Sequence, residues 1–168
     1  MPTDRDLRII EAQLGRPVRA VSTVAHRCPC GAPDVVETAP QLSDGEPFPT
    51  LFYLTCPRAC SAIGTLEADG VMKAMQDRLT TDADLADRYR AAHEDYLARR
   101  NAIAEVEQIA GISAGGMPDR VKCLHVLAAH ALAVGPGVNP LGDEVLEQLS
   151  PWWQRRSCAD TFGQEVAL

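Results

Sequence analysis

Residues 50–66, TLFYLTCPRACSAIGTL, change character at a single point. Thr50 to Thr55 is a run of aromatic and aliphatic side chains flanked by threonines, the composition of a strand. Cys56 closes it. Pro57 suits the first turn of a helix, where its missing N–H removes no bond, and Ala59, Ile63 and Leu66 then recur at helical spacing. Before this point the chain holds short runs separated by turn residues, and after it long helical periodicities. Upstream, PVRAVSTVA (Pro17 to Ala25) and DVVET (Asp34 to Thr38) add two expected strands, and Asp44–Gly45 in APQLSDGEPFP is a hairpin signal. A first helix is expected from Asp4 to Leu14, capped by Thr3 or Asp4 and stopped by Gly15. Downstream, helices are expected at Val71 to Leu79, at Asp82 to Arg100 with continuation toward Ile109, at Pro118 to Val134 and at Asp143 to Leu149. Leu85, Tyr89, Ala92, Tyr96 and Ile103 form the apolar stripe of the longest one. The expected fold is α+β: a small antiparallel sheet of about three strands packed by four to five helices, with helices dominating the C-terminal two-thirds. One domain is expected over 4–150, with 151–168 an unassigned tail.

Hydrophobic residues make up 46% of the 168-residue chain and aromatics only 5%, so aliphatic side chains must fill the core. A net charge of −7, with Lys and Arg scattered among acids, argues against a nucleic-acid partner. No stretch approaches the roughly 20 apolar residues of a membrane span, so no membrane insertion is expected. The charged opening MPTDRDLRII does not resemble a secretory leader, and a cytoplasmic location follows as the expectation. Six cysteines in that setting read as thiols or metal ligands rather than disulfides.

Those thiols and the imidazoles fall in three places: His26, Cys28 and Cys30 in HRCPCG; Cys56 and Cys60 in TCPRAC; Cys123, His125 and His130 in KCLHVLAAH. Sulfur with imidazole nitrogen is the donor set of zinc and of iron–sulfur clusters, although the spacing is not that of paired C-x-x-C knuckles. Cys56 sits at a helix mouth, where backbone N–H groups favour a thiolate. One shared site would account for Cys28, Cys56 and Cys123 together. A helix starting at Pro118 would work against this, because it sets Cys123 and His125 roughly 200° apart around its axis. The two can share an ion only if the helix begins near His125. Plainer readings cover much of the rest. Cys60 and Cys158 read as small buried side chains, His93 and His130 as solvated or core histidines, GISAGGMPDR as a flexible loop, and Arg99–Arg100 as solvated surface. Cys30, Cys60 and His130 stay open as additional ligands.

The strings HRCPCGAPDVVETAPQLSDGEPFPTLFYLTCP, HEDYLARR and SAGGMPDRVKCLHVLAAHALAVGPGVNPLGD together resemble the bacterial family known as domain of unknown function 501, in its Ala- and Arg-rich actinobacterial form. The resemblance runs from about Asp4 to Asp143. It implies no activity. It does imply that Cys28, Cys56, Cys123 and His125 are the pattern residues, that Cys60 is not one, and that the genomic setting is near cell-division and polyphosphate genes. The expected site is therefore a zinc or iron–sulfur centre on Cys28, Cys56, Cys123 and His125, with Lys122 or Asp34 as nearby proton carriers if a coordination position is open. Two alternatives come from other classes. One is a metal-free thiol enzyme with Cys56 as nucleophile, His125 as base and Cys28 as resolving thiol. The other is a non-enzymatic adaptor docking through the helix from Asp82 to Ile109.

Overall fold

A computed structural model describes residues 1–154 and residue 158. Its three strands, β1 (Val21–Arg27), β2 (Pro33–Thr38) and β3 (Phe52–Leu54), form one antiparallel sheet in the order β1-β2-β3. Val36 pairs with Val24 on one side and Tyr53 on the other. Six α-helices accompany the sheet among the described residues: α1 (Asp4–Leu14), α2 (Pro57–Ala68), α3 (Val71–Thr81), α4 (Ala83–Ile103), α5 (Leu124–Val134) and α6 (Pro140–Gln148). The architecture is the expected α+β one, with helices filling the C-terminal part.

Val35 and Val36 on β2 are both buried. Successive strand residues point to opposite faces, so the middle of this sheet is covered on both sides. Both α1 and α5 pack against β2. The Gln13 amide donates to the Pro33 carbonyl at 2.7 Å, and Arg27 grips the Asp6 carboxylate at 2.7 and 2.9 Å, tying α1 to the sheet. That guanidinium holds the Asp6 carboxyl well below the usual carboxylate range.

The long helix α4 ends at Ile103, short of the expected continuation toward Ile109, and Ile103, expected on its apolar stripe, is exposed. Two further differences from the sequence reading affect where site and core side chains point. The helix expected from Pro118 starts at Leu124, with Cys123 as its N-cap residue in extended conformation. The segment before it is a tight turn instead. Gly115 and Gly116 adopt φ of +68° and +94°, and their carbonyls accept from the Lys122 and Arg120 amides at 2.8 Å. A Cβ on Gly116 would lie 2.7 Å from the Arg120 carbonyl oxygen, so only glycine fits this turn. The second difference is Arg100, expected on the surface and found 1% exposed. Its guanidinium donates to the carbonyls of Pro49, Ile109 and Ile112 at 2.6–3.3 Å, clamping the segment that follows α4 to the β2–β3 connection. Its neighbour Arg99 stays outside and pairs with Asp95.

His130, on α5, is fully buried among three other elements. Asn139 caps α6 with its oxygen, accepting from the Gly142 amide at 2.9 Å, so its NH2 group must face His130 Nδ1 at 3.2 Å. An NH2 group only donates, so Nδ1 is the unprotonated nitrogen, and Nε2–H donates to Asp95 at 3.0 Å. The ring stacks on Phe52 and meets Tyr96 edge-on, with centroids 5.8 and 5.2 Å away. Burial lowers its basicity and keeps it neutral. His130 is a core side chain joining α5, α4, α6 and β3.

Candidate metal centre

The β1–β2 connection is a tight knuckle: the Cys28 amide donates to the Ala32 carbonyl at 2.9 Å, and the Gly31 amide to the Cys28 carbonyl at 2.7 Å. Gly31 has φ of +89°, which allows the reversal. The turn directs Cys28 and Cys30 toward Cys158, and the three sulfurs lie within 4.8 Å of one another. Cys56, leading into α2, brings its sulfur to 3.4 Å from Cys158, while Cys28 stands 3.7 Å from the same atom. Cys56 falls outside the mutual spacing of the other three and reaches them through Cys158. Cys28, Cys56 and Cys158 are each no more than 2% exposed. Cys30 lies partly open at a small cleft beside Arg27 and Asp6.

Burial dominates the thiol chemistry here. It pushes Cys28 up to about 11 and Cys158 higher still, with the neighbouring thiols resisting a second negative charge. Cys30 is the exception. Burial raises it, but hydrogen bonds from the Ala32 and Cys158 backbones and from the other two thiols outweigh that and lower it.

A second constellation stands at the N-terminus of α5. Because the helix begins at Leu124, Cys123 is not yet on the helical spiral, and its sulfur reaches 3.9 Å from His125 Nδ1. The condition for these two residues to share a site is therefore met. Glu67, near the end of α2, supplies the cap that Cys123 does not: its Oε1 accepts from the Leu124 amide at 2.8 Å and stands 3.1 Å from His125 Nδ1. Glu67 Oε1, Cys123 Sγ and His125 are also mutually within 4.8 Å. His125 Nε2 faces the Cys60 carbonyl at 3.1 Å, so that nitrogen carries a proton. The Cys123 sulfur, partly opposed by burial, raises His125 to about 9, with the Cys60 carbonyl and Glu67 adding to it. Burial would raise Cys123, but the His125 and Val126 N–H groups overcome it and lower the thiol.

The four residues expected in one site thus divide between two. Cys28 and Cys56 meet at Cys158, while Cys123 and His125 meet at Glu67. Cys60 lies between them: burial first, then the charges of Cys56 and Cys123, push its thiol up to about 11. The thiol-enzyme alternative paired Cys56 with His125, whereas each faces a different cluster. Asp34, considered as a proton carrier, is fully buried and holds His26 at 2.7 Å. Cys30, left open as an additional ligand, joins the first cluster, and its C-x-C before glycine is a legible signal. Two others escaped the sequence reading. Glu67 had only a weaker signal, lying seven residues after Cys60 and so on the same helix face. Cys158 had no local signal at all.

The larger cleft of about 890 Å³, beside α2 and the segment after α6, is lined by none of the cysteines, histidines or carboxylates among the described residues. Chemistry-bearing side chains lie instead in the two clusters, which defines a thiol-rich α+β protein with two separate groups of metal-type donors. The chain belongs to the family described as Protein of unknown function (DUF501), whose profile matches residues 24–147. That span includes every member of the two clusters except Cys158. No curated protein and no solved structure matches the chain. Among the described residues no helix is long and apolar enough to cross a membrane.

Proposed function

We propose that this chain is a metal-binding protein whose Cys28, Cys30, Cys56 and Cys158 hold one zinc ion as a structural centre. The carrying observation is the sulfur spacing. Zinc–sulfur bonds of about 2.3 Å in a tetrahedron place the sulfurs about 3.8 Å apart. The 3.7 Å from Cys28 and 3.4 Å from Cys56 to Cys158 lie near that edge. Cys28, Cys30 and Cys158 stand within 4.8 Å of one another, and Cys56 would move in toward Cys28 and Cys30 to close the set. An iron–sulfur cluster would spread its thiolates over several irons and hold them further apart. Four protein thiolates leave no open position, and their burial suits a centre that joins the β1–β2 knuckle, the α2 N-terminus and the C-terminal segment. Thiolates this crowded and dry repel one another, and a divalent cation removes that repulsion.

Elemental analysis with an absorption spectrum, on protein purified anaerobically and in air, tests the reading. Colourless protein with zinc that Cys28→Ser and Cys158→Ser both remove supports it. Brown, iron-containing protein replaces zinc with a cluster. Metal-free protein in both preparations overturns the reading, and a mass lower by two hydrogens would then indicate one disulfide, which peptide mapping would place.

A further inference from the structure

The geometry points to a second zinc site, independent of the thiol centre, formed by Glu67, Cys123 and His125 with its fourth coordination position open to solvent.

The case starts from how the three side chains converge. In a thiol–imidazole–carboxylate catalytic triad the nucleophile and the carboxylate take opposite ring nitrogens. Here both the Cys123 sulfur and the Glu67 oxygen face Nδ1, at 3.9 and 3.1 Å, while Nε2 is held on the Cys60 carbonyl. One nitrogen directed at the shared point and the other anchored on a backbone carbonyl is the arrangement that orients a metal-ligating histidine. The distances also fit. Bonds of about 2.3 Å to sulfur and about 2.0–2.1 Å to nitrogen and oxygen give tetrahedral edges of about 3.6 and 3.3 Å.

Each ligand is already held by something else. Cys123 is fixed by its extended N-cap backbone, Glu67 by the Leu124 amide, and His125 by the Cys60 carbonyl. Thiolate plus imidazole selects zinc over magnesium or calcium, and three protein ligands leave one position for water or another small Lewis base. That position is reachable. His125 and Glu67 side chains are 29% and 24% exposed, and Cys123 and His125 line a cleft of about 350 Å³. Its walls include Phe52, Leu54 and Val126, with Thr50, Tyr53 and Cys60 as polar exceptions. A small ligand with an apolar body and one donor atom fits this lining.

Zinc and cobalt titrations of the full chain test the proposal. The expected result is about two zinc ions per chain, falling to about one in Cys123→Ser, in His125→Asn and in Glu67→Gln. In cobalt-loaded protein, azide should shift the visible bands of the Cys123 site and leave those of the thiol centre unchanged. Glu67→Gln preserves side-chain shape and provides the readout if Cys123→Ser does not fold. Undiminished zinc in both Cys123→Ser and Glu67→Gln overturns the proposal, as does cobalt at this site that ignores azide. The two centres are separable: a single zinc lost with Cys123→Ser but kept in Cys28→Ser leaves this site standing and removes the thiol centre.

Discussion

Two cysteine regions meet at Cys60 and differ in almost every physical respect. At the β1–β2 knuckle the donors are all sulfur and nearly all dry, and they come from segments as distant in sequence as Cys28 and Cys158. At the mouth of α5 the donors are sulfur, nitrogen and oxygen, half-buried, and each is oriented by a separate backbone group. Burial raises the Cys28 thiol, while an imidazole and a helix N-terminus lower Cys123. The same residue type is thus prepared for two uses. A closed set of soft donors favours a metal that stabilises structure, and an open mixed set favours one that exchanges ligands.

The largest effect that would sharpen this contrast is on stability. Zinc held a thousandfold above its Kd by the folded state alone stabilises by about 4 kcal/mol. Stripping the thiol centre should then lower Tm by roughly 8–16 °C in a chain of this size. Calorimetry of the unmodified chain with and without zinc, beside Cys28→Ser, checks this, and an equal Tm for the zinc-loaded and zinc-free unmodified chain would break the assignment of that centre as structural.

Next come the two histidines of α5. His130→Ala leaves a cavity and strips partners from Asp95 and Asn139, so a loss of about 2–4 kcal/mol is expected. His125→Ala in metal-free protein should cost less than about 1 kcal/mol, because its ion pair is partly solvated. Urea unfolding of both variants measures the difference, and equal losses would contradict it.

Thiol reactivity should divide the regions again. In metal-free protein at pH 8, iodoacetamide should label Cys123 at least about tenfold faster than Cys28, since the thiolate is the nucleophile. Peptide mass spectrometry over time reads the order of labelling, and zinc should slow both.

The smallest effect concerns pH. His130 is less basic folded than unfolded, so the unfolded chain takes up a proton first as pH falls. The His130 contribution should be flat above about 6.5 and decline below it by up to about 1.4 kcal/mol per pH unit. His125, raised to about 9, has the opposite sign and loses its contribution as pH rises from about 6.5 toward 9. Asp6 has the same sign as His130 at lower pH: held below its ordinary value by Arg27, it contributes above that value and ceases to in stronger acid. His130→Gln should reduce the decline between pH 6.5 and 5 to the part left by His93, whose basicity burial also lowers, and an undiminished decline would assign it elsewhere.

Much of the fold was legible in local pattern. The α1 limits coincide with Thr3 and Gly15, whose capping box and left-handed turn are local devices. The start of α2 at Pro57 follows from the missing proline N–H. The start of α5 was not legible, because 118–123 carries helical periodicity that the Gly115–Gly116 turn overrides by taking the Arg120 and Lys122 amides for itself. Arg100 misled for a similar reason: two adjacent arginines look alike in sequence, and only the positions of three distant carbonyls separate them.

By itself the sequence determined which donors exist, that they belong to sulfur and imidazole chemistry, and which segments become strand or helix, since those depend on residues within a few positions. Tertiary structure alone decided their grouping. Cys28 found Cys158 across most of the chain, and Cys123 found Glu67 through the packing of α2 against α5. Side-chain coordination depends on direction within a few ångströms, and direction is set by where each helix begins and by what packs against it.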